Sequence, residues 1–178
     1  MASRGAGGLA LASCVLVAVN ALVMVLVAFG NITDYDTNEP FVRHVLAMDT
    51  TNFGAPEGEG LDDDVMWRAI GNDTLQTIAY IAIIVWETLT AIVLVVATGA
   101  WIRAFVRGVG DLTARSLATI GLLMVIALFF GGFIAIGGEW FQMWKSTAWN
   151  GIDSAFRYGA IATLALIVVH LPTSPTDW

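Results

Sequence analysis

Glu87 is the residue whose type and position most directly suggest chemistry. It lies in the segment IVWETLT, residues 84–90, near the middle of a long apolar run. A charged, unpaired carboxylate at that depth in a bilayer is costly, so this side chain must be protonated, paired or in contact with water. Two interpretations stay open. Glu87 is a proton or cation site, or it is a protonated acid that hydrogen-bonds across helices, with Asn20 of the first apolar run as the candidate partner.

Glu139 and Arg157 form a second candidate pair. One ends the third apolar run and the other begins the fourth, so a regular hairpin would place both at the same level of the membrane. An ion pair between helices is the structural interpretation, and a pair that grips a substrate is the functional one. Small residues in the same two runs predict close helix packing; they are Gly131, Gly132, Gly137, Gly138, Ala155 and Gly159.

The two histidines, His44 and His170, are expected on opposite sides of the membrane. This disfavours a haem held by both histidines of one chain. His44 is a candidate metal ligand together with Asp34, Asp36 or Asp49, but the spacing of these acids matches no known ligand pattern. No serine or cysteine nucleophile has a base beside it. We therefore expect no cofactor, no metal and no catalytic residue.

The composition is that of a membrane protein. Of the 178 residues, 57% are hydrophobic and 13% are charged, and the mean hydropathy is +0.75. A soluble domain has about one quarter charged residues. The net charge is -7, but ten of the fifteen carboxylates lie between Asp34 and Asp73. A chain with no basic stripe is not expected to bind nucleic acid.

Four apolar runs, at about residues 9–30, 77–102, 117–138 and 154–171, are long enough to cross ~30 Å of hydrocarbon. In lipid they must be helices, because each backbone polar group needs a partner within its own segment. The predicted fold is all-α: a four-helix transmembrane bundle forming a single membrane domain over residues 1–178. Its long outer loop, residues 31–76, carries short interfacial helices at about 41–48 and 65–70.

The basic residues predict the orientation. Arg103, Arg107 and Arg115 fill the short connection after the second run, whereas the long loop has only Arg43 and Arg68 against ten acids. Lysine and arginine are concentrated in cytoplasmic loops. Both termini are therefore expected in the cytoplasm, with the long acidic loop outside.

Tryptophans cluster near the predicted outer surface. Trp140, Trp144 and Trp149 follow the third run, and Trp67 lies in the long loop. Rings at the ends of spans are typical of an interfacial belt. An aromatic cage or a floor that binds lipid headgroups is the alternative. All four are candidates for contact with lipid or with a partner.

Several segments resemble an uncharacterised bacterial family of predicted small integral membrane proteins with a domain of unknown function. They are NITDY at 31–35, FVRHVLAMDTT at 41–51, WRAI at 67–70, GGEWF at 137–141, WNG at 149–151 and AFR at 155–157. The resemblance spans nearly the whole chain, and the acidic stretch 57–64 departs from it. It implies architecture only, and no activity, ligand or catalytic residue. The expected location of the chain is the bacterial inner membrane, as a multi-pass protein.

The leading functional prediction is a non-catalytic accessory or structural subunit of a larger membrane protein complex, with respiratory or other electron-transfer complexes as candidates. Membrane lipids and other membrane subunits are the expected partners. The alternative is a small oligomeric transporter or channel that uses Glu87 as a proton or cation site. A membrane oxidoreductase that binds haem or quinone has the least support.

Overall fold

The computed structural model describes residues 4–108 and 110–172, and this part of the chain is all helical. Its helices, in chain order, are α1 (Arg4–Thr33), α2 (Tyr35–Ala47), α3 (Asp73–Arg107), α4 (Leu112–Ile126) and α5 (Ile152–His170). Helix α4 continues directly into a π-helix, Ala127–Trp140, and 3-10 turns lie at Met66–Arg68 and Met143–Lys145. The predicted all-α fold is confirmed.

Four helical segments are long and apolar enough to cross a membrane: Gly7–Thr33, Asp73–Arg107, Leu112–Trp140 and Ile152–His170. They are the four predicted spans of a four-helix bundle, and polar ends extend three of them beyond the apolar runs. In the second span, the Asn72 side chain accepts a hydrogen bond of 3.0 Å from the Leu75 amide. This cap starts α3 at Asp73, before the first residue of the predicted run.

The residues group into two compact units. Of the described residues, the first unit comprises 4–28, 87–108, 110–126 and 160–172, and the side chains of Val17, Leu94 and Leu122 within it are fully buried. Trp101 is also fully buried, and the guanidinium of Arg115 lies 5.4 Å from the centre of its ring. Arg115 contacts the carboxylate of Asp111 at 3.0 Å and donates a hydrogen bond to the carbonyl of Val169.

The second unit comprises residues 29–86 and 127–159. It holds α2, both 3-10 turns and the π-helix, around buried side chains that include Met48, Tyr80, Phe129 and Met143. The predicted short helix at 41–48 is present as the longer α2, and the predicted 65–70 element is the 3-10 turn Met66–Arg68. The prediction of one domain over residues 1–178 stays a prediction.

The π-helix is the least expected element, because such helices are rare and mostly one turn long, whereas this one has 14 residues. Its wide turns place the amide of Phe141 3.0 Å from the carbonyl of Ile136, five residues earlier. A Cβ on Gly137 would lie 3.5 Å from the carbonyl oxygen of Gly132, again five residues earlier. The side chains of this segment therefore point in directions that an α-helical wheel does not give.

Candidate functional site

A polar pocket lies in the second unit beside α2, the loop that follows it and the start of α3. Its volume is about 500 Å³. The lining residues are Glu39, Pro40, Arg43, His44, Ala47, Asp49, Glu57, Gly71, Asp73 and Gln76. Four of these are acids, against one arginine and one histidine, so the pocket is suited to a cation rather than an anion.

His44, Asp49 and Glu57 come together on one side of this pocket. The His44 Nδ1 lies 2.9 Å from both carboxylate oxygens of Asp49. One ligand atom from each of the three residues lies within 4.8 Å of the other two. The imidazole ring stacks on Trp149, with ring centroids 4.7 Å apart and planes at 14°. An imidazole nitrogen and two carboxylates in this arrangement can hold a divalent metal.

The backbone after α2 creates this cluster. Helix α2 ends at Ala47. The next residue, Met48, caps the helix in a left-handed conformation with φ 56°, and its amide donates to the carbonyl of His44. This turn carries Asp49 back beside the last helical turn. The Asn52 amide group then donates to the carbonyls of Pro56 and Glu59, at 2.8 and 2.9 Å, and folds the loop on itself.

Arg43 divides the acids of the pocket into two groups. Its guanidinium donates to Glu39 at 3.0 Å and to Asp73 at 2.5 Å, and so ties α2 to the first turn of α3. The hydrogen bond with Glu39 is the main cause that raises the pKa of Arg43, and the charge of Asp73 acts in the same direction. Two of the four acids thus share one guanidinium, which leaves Asp49 and Glu57 to face His44.

A second feature of this unit is a group of exposed aromatic rings with two half-buried cations, which we call the aromatic rim. It consists of Phe53, Trp67, Arg68, Trp140, Trp144 and Lys145. Trp67 and Trp140 meet edge to face, 5.6 Å apart. The guanidinium of Arg68 lies 5.5 Å from the first ring and 5.1 Å from the second. Cation and rings therefore hold each other in place.

The other half of the aromatic rim also combines two aromatic rings with one cation. Phe53 and Trp144 meet edge to face at 5.8 Å, and the Lys145 ammonium lies 5.5 Å from the Trp144 ring. The amide of Phe53 donates to the carbonyl of Lys145 at 3.0 Å. Lys145 also lies 3.5 Å from the carboxylate of Asp62. The long loop and the segment after the π-helix thus build this surface together.

A family model described as predicted small integral membrane protein (DUF2165) matches residues 9–172. The chain belongs to that family. The resemblance predicted from the sequence motifs is confirmed, and with it the integral membrane nature of the protein. DUF2165 is a domain of unknown function, so membership assigns no catalytic residue. No curated protein and no solved structure matches the chain.

In this DUF2165 protein, three of the four predicted contact tryptophans are exposed. Trp67 is 69% exposed, and Trp140 and Trp144 are each 46% exposed. Trp149 differs, because it is only partly exposed and packs against His44 and, at 6.3 Å, against Phe41. Its ring supports the histidine of the polar pocket, so Trp149 does not belong to the aromatic rim.

The candidate residues Glu87 and Asn20 both lie in the first unit. Glu87 is 3% exposed in α3, and Thr90, one turn later, is fully buried. The Asn20 side-chain amide donates to the carbonyl of Leu16 at 2.8 Å within its own helix. The cross-helix bond between Asn20 and Glu87 stays a prediction. The same holds for the role of Glu87 as a proton or cation site.

Glu139 and Arg157 are brought to the same unit, but both side chains are exposed. No ion pair of the described residues includes Glu139 or Arg157, so the predicted pair between them does not form here. Glu139 lies in the π-helix Ala127–Trp140, not in the regular hairpin that the prediction assumed. The small residues nearby do allow close packing, since Phe130 packs directly over Gly159 and Ala155 is buried.

The predicted acid partners of His44 separate into two groups. Asp49 lies in the cluster, while Asp34 accepts a hydrogen bond from Thr37 at 2.8 Å and Asp36 is exposed, outside the cluster. His170 lies in the first unit, where its Nε2 is 2.8 Å from the hydroxyl of Thr119.

Glu57 is the residue that sequence reasoning missed. It stands thirteen positions after His44 in a stretch of glycines and acids that fits no ligand pattern. The available signal was the turn chemistry around it. Pro56 precedes it, and Gly58, which follows it, has φ 78° and donates its amide to the carbonyl of Asp49 at 2.8 Å. Such a turn returns Glu57 toward Asp49.

Proposed function

We propose that this protein is a non-catalytic structural subunit of a larger membrane protein complex and docks on its partner through the aromatic rim. The observation that carries the proposal is the exposure of four large rings in one unit. Phe53 and Trp67 are 68% and 69% exposed, and Trp140 and Trp144 are 46% exposed. Tryptophan and arginine are the residues most enriched among those that dominate the energy of protein interfaces.

The construction of the aromatic rim favours a protein partner. An interfacial belt accounts for Trp140, which ends a span, but Trp67 and Phe53 come from the long loop. The hydrogen bond from Arg68 to the Trp140 carbonyl, at 3.4 Å, holds one loop residue beside the span. Rings that are ordered before binding lose less conformational entropy when a partner covers them. This arrangement suits a rigid docking surface.

Cross-linking in the native membrane tests the proposal. A photoreactive amino acid replaces Trp67 in one variant and Leu164 of α5, which is 62% exposed on an apolar span, in the control. We expect the Trp67 position to form one discrete adduct with another membrane protein, and the Leu164 position to react with lipid. Arg68→Ala should weaken the adduct. A haem or flavin in the partner would assign the complex to electron transfer.

Two results would overturn this proposal. One is the recovery of the protein from mild detergent only as a free monomer, with no adduct at either position. The other is an adduct at Trp67 whose yield is the same with and without Arg68→Ala.

We also propose that both termini face the cytoplasm of a bacterial cell and that the loop 34–72 faces outward from the inner membrane. The exposed Arg103 and Arg107 at the end of α3 support this orientation. Asp63→Cys and Arg107→Cys, each in a Cys14→Ala background, can be labelled with a membrane-impermeant maleimide. In intact spheroplasts only the cysteine at 63 should react, and the reverse pattern would invert the topology.

A small oligomeric transporter or channel is the second candidate, because Glu87 is buried in the apolar α3. A carboxylate at that depth is a candidate for proton or cation coupling. In proteoliposomes that show a proton or cation flux, Glu87→Gln should abolish it, whereas the exposed Glu139→Gln should not. A flux that survives Glu87→Gln removes this candidate.

A further inference from the structure

We propose that His44, Asp49 and Glu57 form a binding site for a divalent transition metal of the Zn²⁺ class. The ligands would be the His44 Nδ1 and one carboxylate oxygen from each acid. This site is separate from the aromatic rim, and it does not depend on the proposed docking function.

The distances are close to those that such a metal requires. Zinc bonds of ~2.0–2.2 Å place neighbouring ligand atoms of a tetrahedral site ~3.3–3.6 Å apart. The His44 Nδ1 lies 2.9 Å from Asp49, a hydrogen-bond distance at which a proton joins the two groups. A metal ion takes the place of that proton, since histidine binds metals in its neutral form. Glu57 is exposed, and all three ligand atoms lie within 4.8 Å, so a rotation of its side chain completes the site.

Charge and support also favour a cation at this point. Arg43 pairs with Glu39 and Asp73, so its guanidinium does not occupy the carboxylate oxygens beside His44. The stack on Trp149 fixes the plane of the imidazole. Ligands that are held in place before binding raise metal affinity, and loss of an outer partner commonly lowers it about 10–100-fold.

The ligand set indicates the class of metal. Imidazole with carboxylates suits Zn²⁺ and related transition metals, whereas Ca²⁺ and Mg²⁺ prefer oxygen ligands alone. Three protein ligands leave at least one coordination position free. That position adjoins the pocket of about 500 Å³, which has room for water.

A Zn²⁺ titration of the detergent-solubilised full chain tests the site. The protein carries no histidine tag and is first treated with a chelator, and affinity is measured by competition with a chromophoric chelator. We expect one Zn²⁺ per chain. His44→Ala should weaken binding at least 100-fold, and Asp49→Asn and Glu57→Gln about 10-fold each or more, while His170→Ala and the exposed loop variant Asp63→Asn should bind as the wild type does.

Co²⁺ gives a second readout that does not depend on the stability of the His44 variant. Bound at His44, this paramagnetic ion should quench the emission of Trp149, and the quenching should shrink in Trp149→Phe. Glu57→Gln alters only an exposed side chain and keeps the test valid if His44→Ala does not fold. The proposal is overturned if the wild type binds no stoichiometric Zn²⁺, or if Glu57→Gln and His44→Ala bind it unchanged.

Discussion

The ring of His44 lies flat against the ring of Trp149, with centroids 4.7 Å apart and planes at 14°. The two residues are 105 positions apart in the sequence. His44 lies in the last turn of α2, and Trp149 precedes α5. The stack therefore joins the polar pocket to the segment that follows the π-helix, and the order of the pocket depends on a tryptophan that is not in it.

Replacement of Trp149 should destabilise the protein in a graded way. Trp149→Ala removes the stack and leaves space beside Phe41, so we expect a loss of about 2–3 kcal/mol, less than the 3–5 typical of a fully buried aromatic residue. Trp149→Phe keeps a ring and should lose about 1 kcal/mol. Thermal unfolding in detergent measures both. Trp67→Phe, at an exposed position, is the control, and an equal loss there would contradict the assignment.

Gly159 should not tolerate a larger residue. A Cβ at this position would lie within 3 Å of three ring atoms of Phe130. Gly159→Ala is expected to cost about 1–3 kcal/mol, as overpacked sites do. The matched control is Gly131→Ala in the π-helix, where no atom lies within 4 Å of the added methyl group. Equal unfolding temperatures for the two variants would contradict a close contact between Gly159 and Phe130.

Asn52 should control the order of the loop that carries Glu57. Its amide makes two hydrogen bonds to backbone carbonyls, and Asn52→Ala removes both. We expect faster amide exchange and faster proteolysis between residues 53 and 60, with little change in the global unfolding temperature. Glu59→Gln, an exposed change in the same loop, should leave both rates as they are. A uniform rise in exchange over the whole chain would point to global instability instead.

Arg115 should stabilise the first unit. It contacts Asp111, the carbonyl of Val169 and the face of Trp101. Arg115→Gln loses charged hydrogen bonds, each worth about 1.5–3 kcal/mol, and should lower the unfolding temperature accordingly. Arg103→Gln, at an exposed position of α3, should have little effect. Should both variants unfold alike, the contacts of Arg115 contribute no net stability.

The sequence was sufficient for the spans because lipid imposes a simple rule on them. Runs of about twenty apolar residues must be helices in a bilayer, and each predicted run corresponds to one helical span, although the fourth span ends at His170, one residue before the end of its run. The start of α2 was harder to predict from the sequence. The apolar pattern begins at Phe41, whereas α2 begins at Tyr35 with a first turn of polar residues. A helical turn that buries little apolar surface leaves no hydrophobic periodicity from which it could be predicted.

The polar cluster was predicted only in part, and for a related reason. The pairing of His44 with Asp49 requires Met48 to adopt a left-handed conformation, which non-glycine residues seldom do. Nothing in the sequence marks that position. The approach of Glu57 depends on Asn52, whose hydrogen bonds exist only once the loop has closed. The aromatic rim was easier to predict. Three of its four rings are Trp67, Trp140 and Trp144, which the sequence already marked as contact residues, and all three are exposed.

The π-helix of residues 127–140 has a consequence for how this stretch can change length. Loss of one residue from an α-helix turns everything beyond it by about 100°. A segment with i→i+5 bonds encloses one residue more in each hydrogen-bonded ring than an α-helix does, so removal of a single residue lets one ring tighten without that rotation. Shortening by one residue should therefore be tolerated between 127 and 140 and disruptive between 112 and 126.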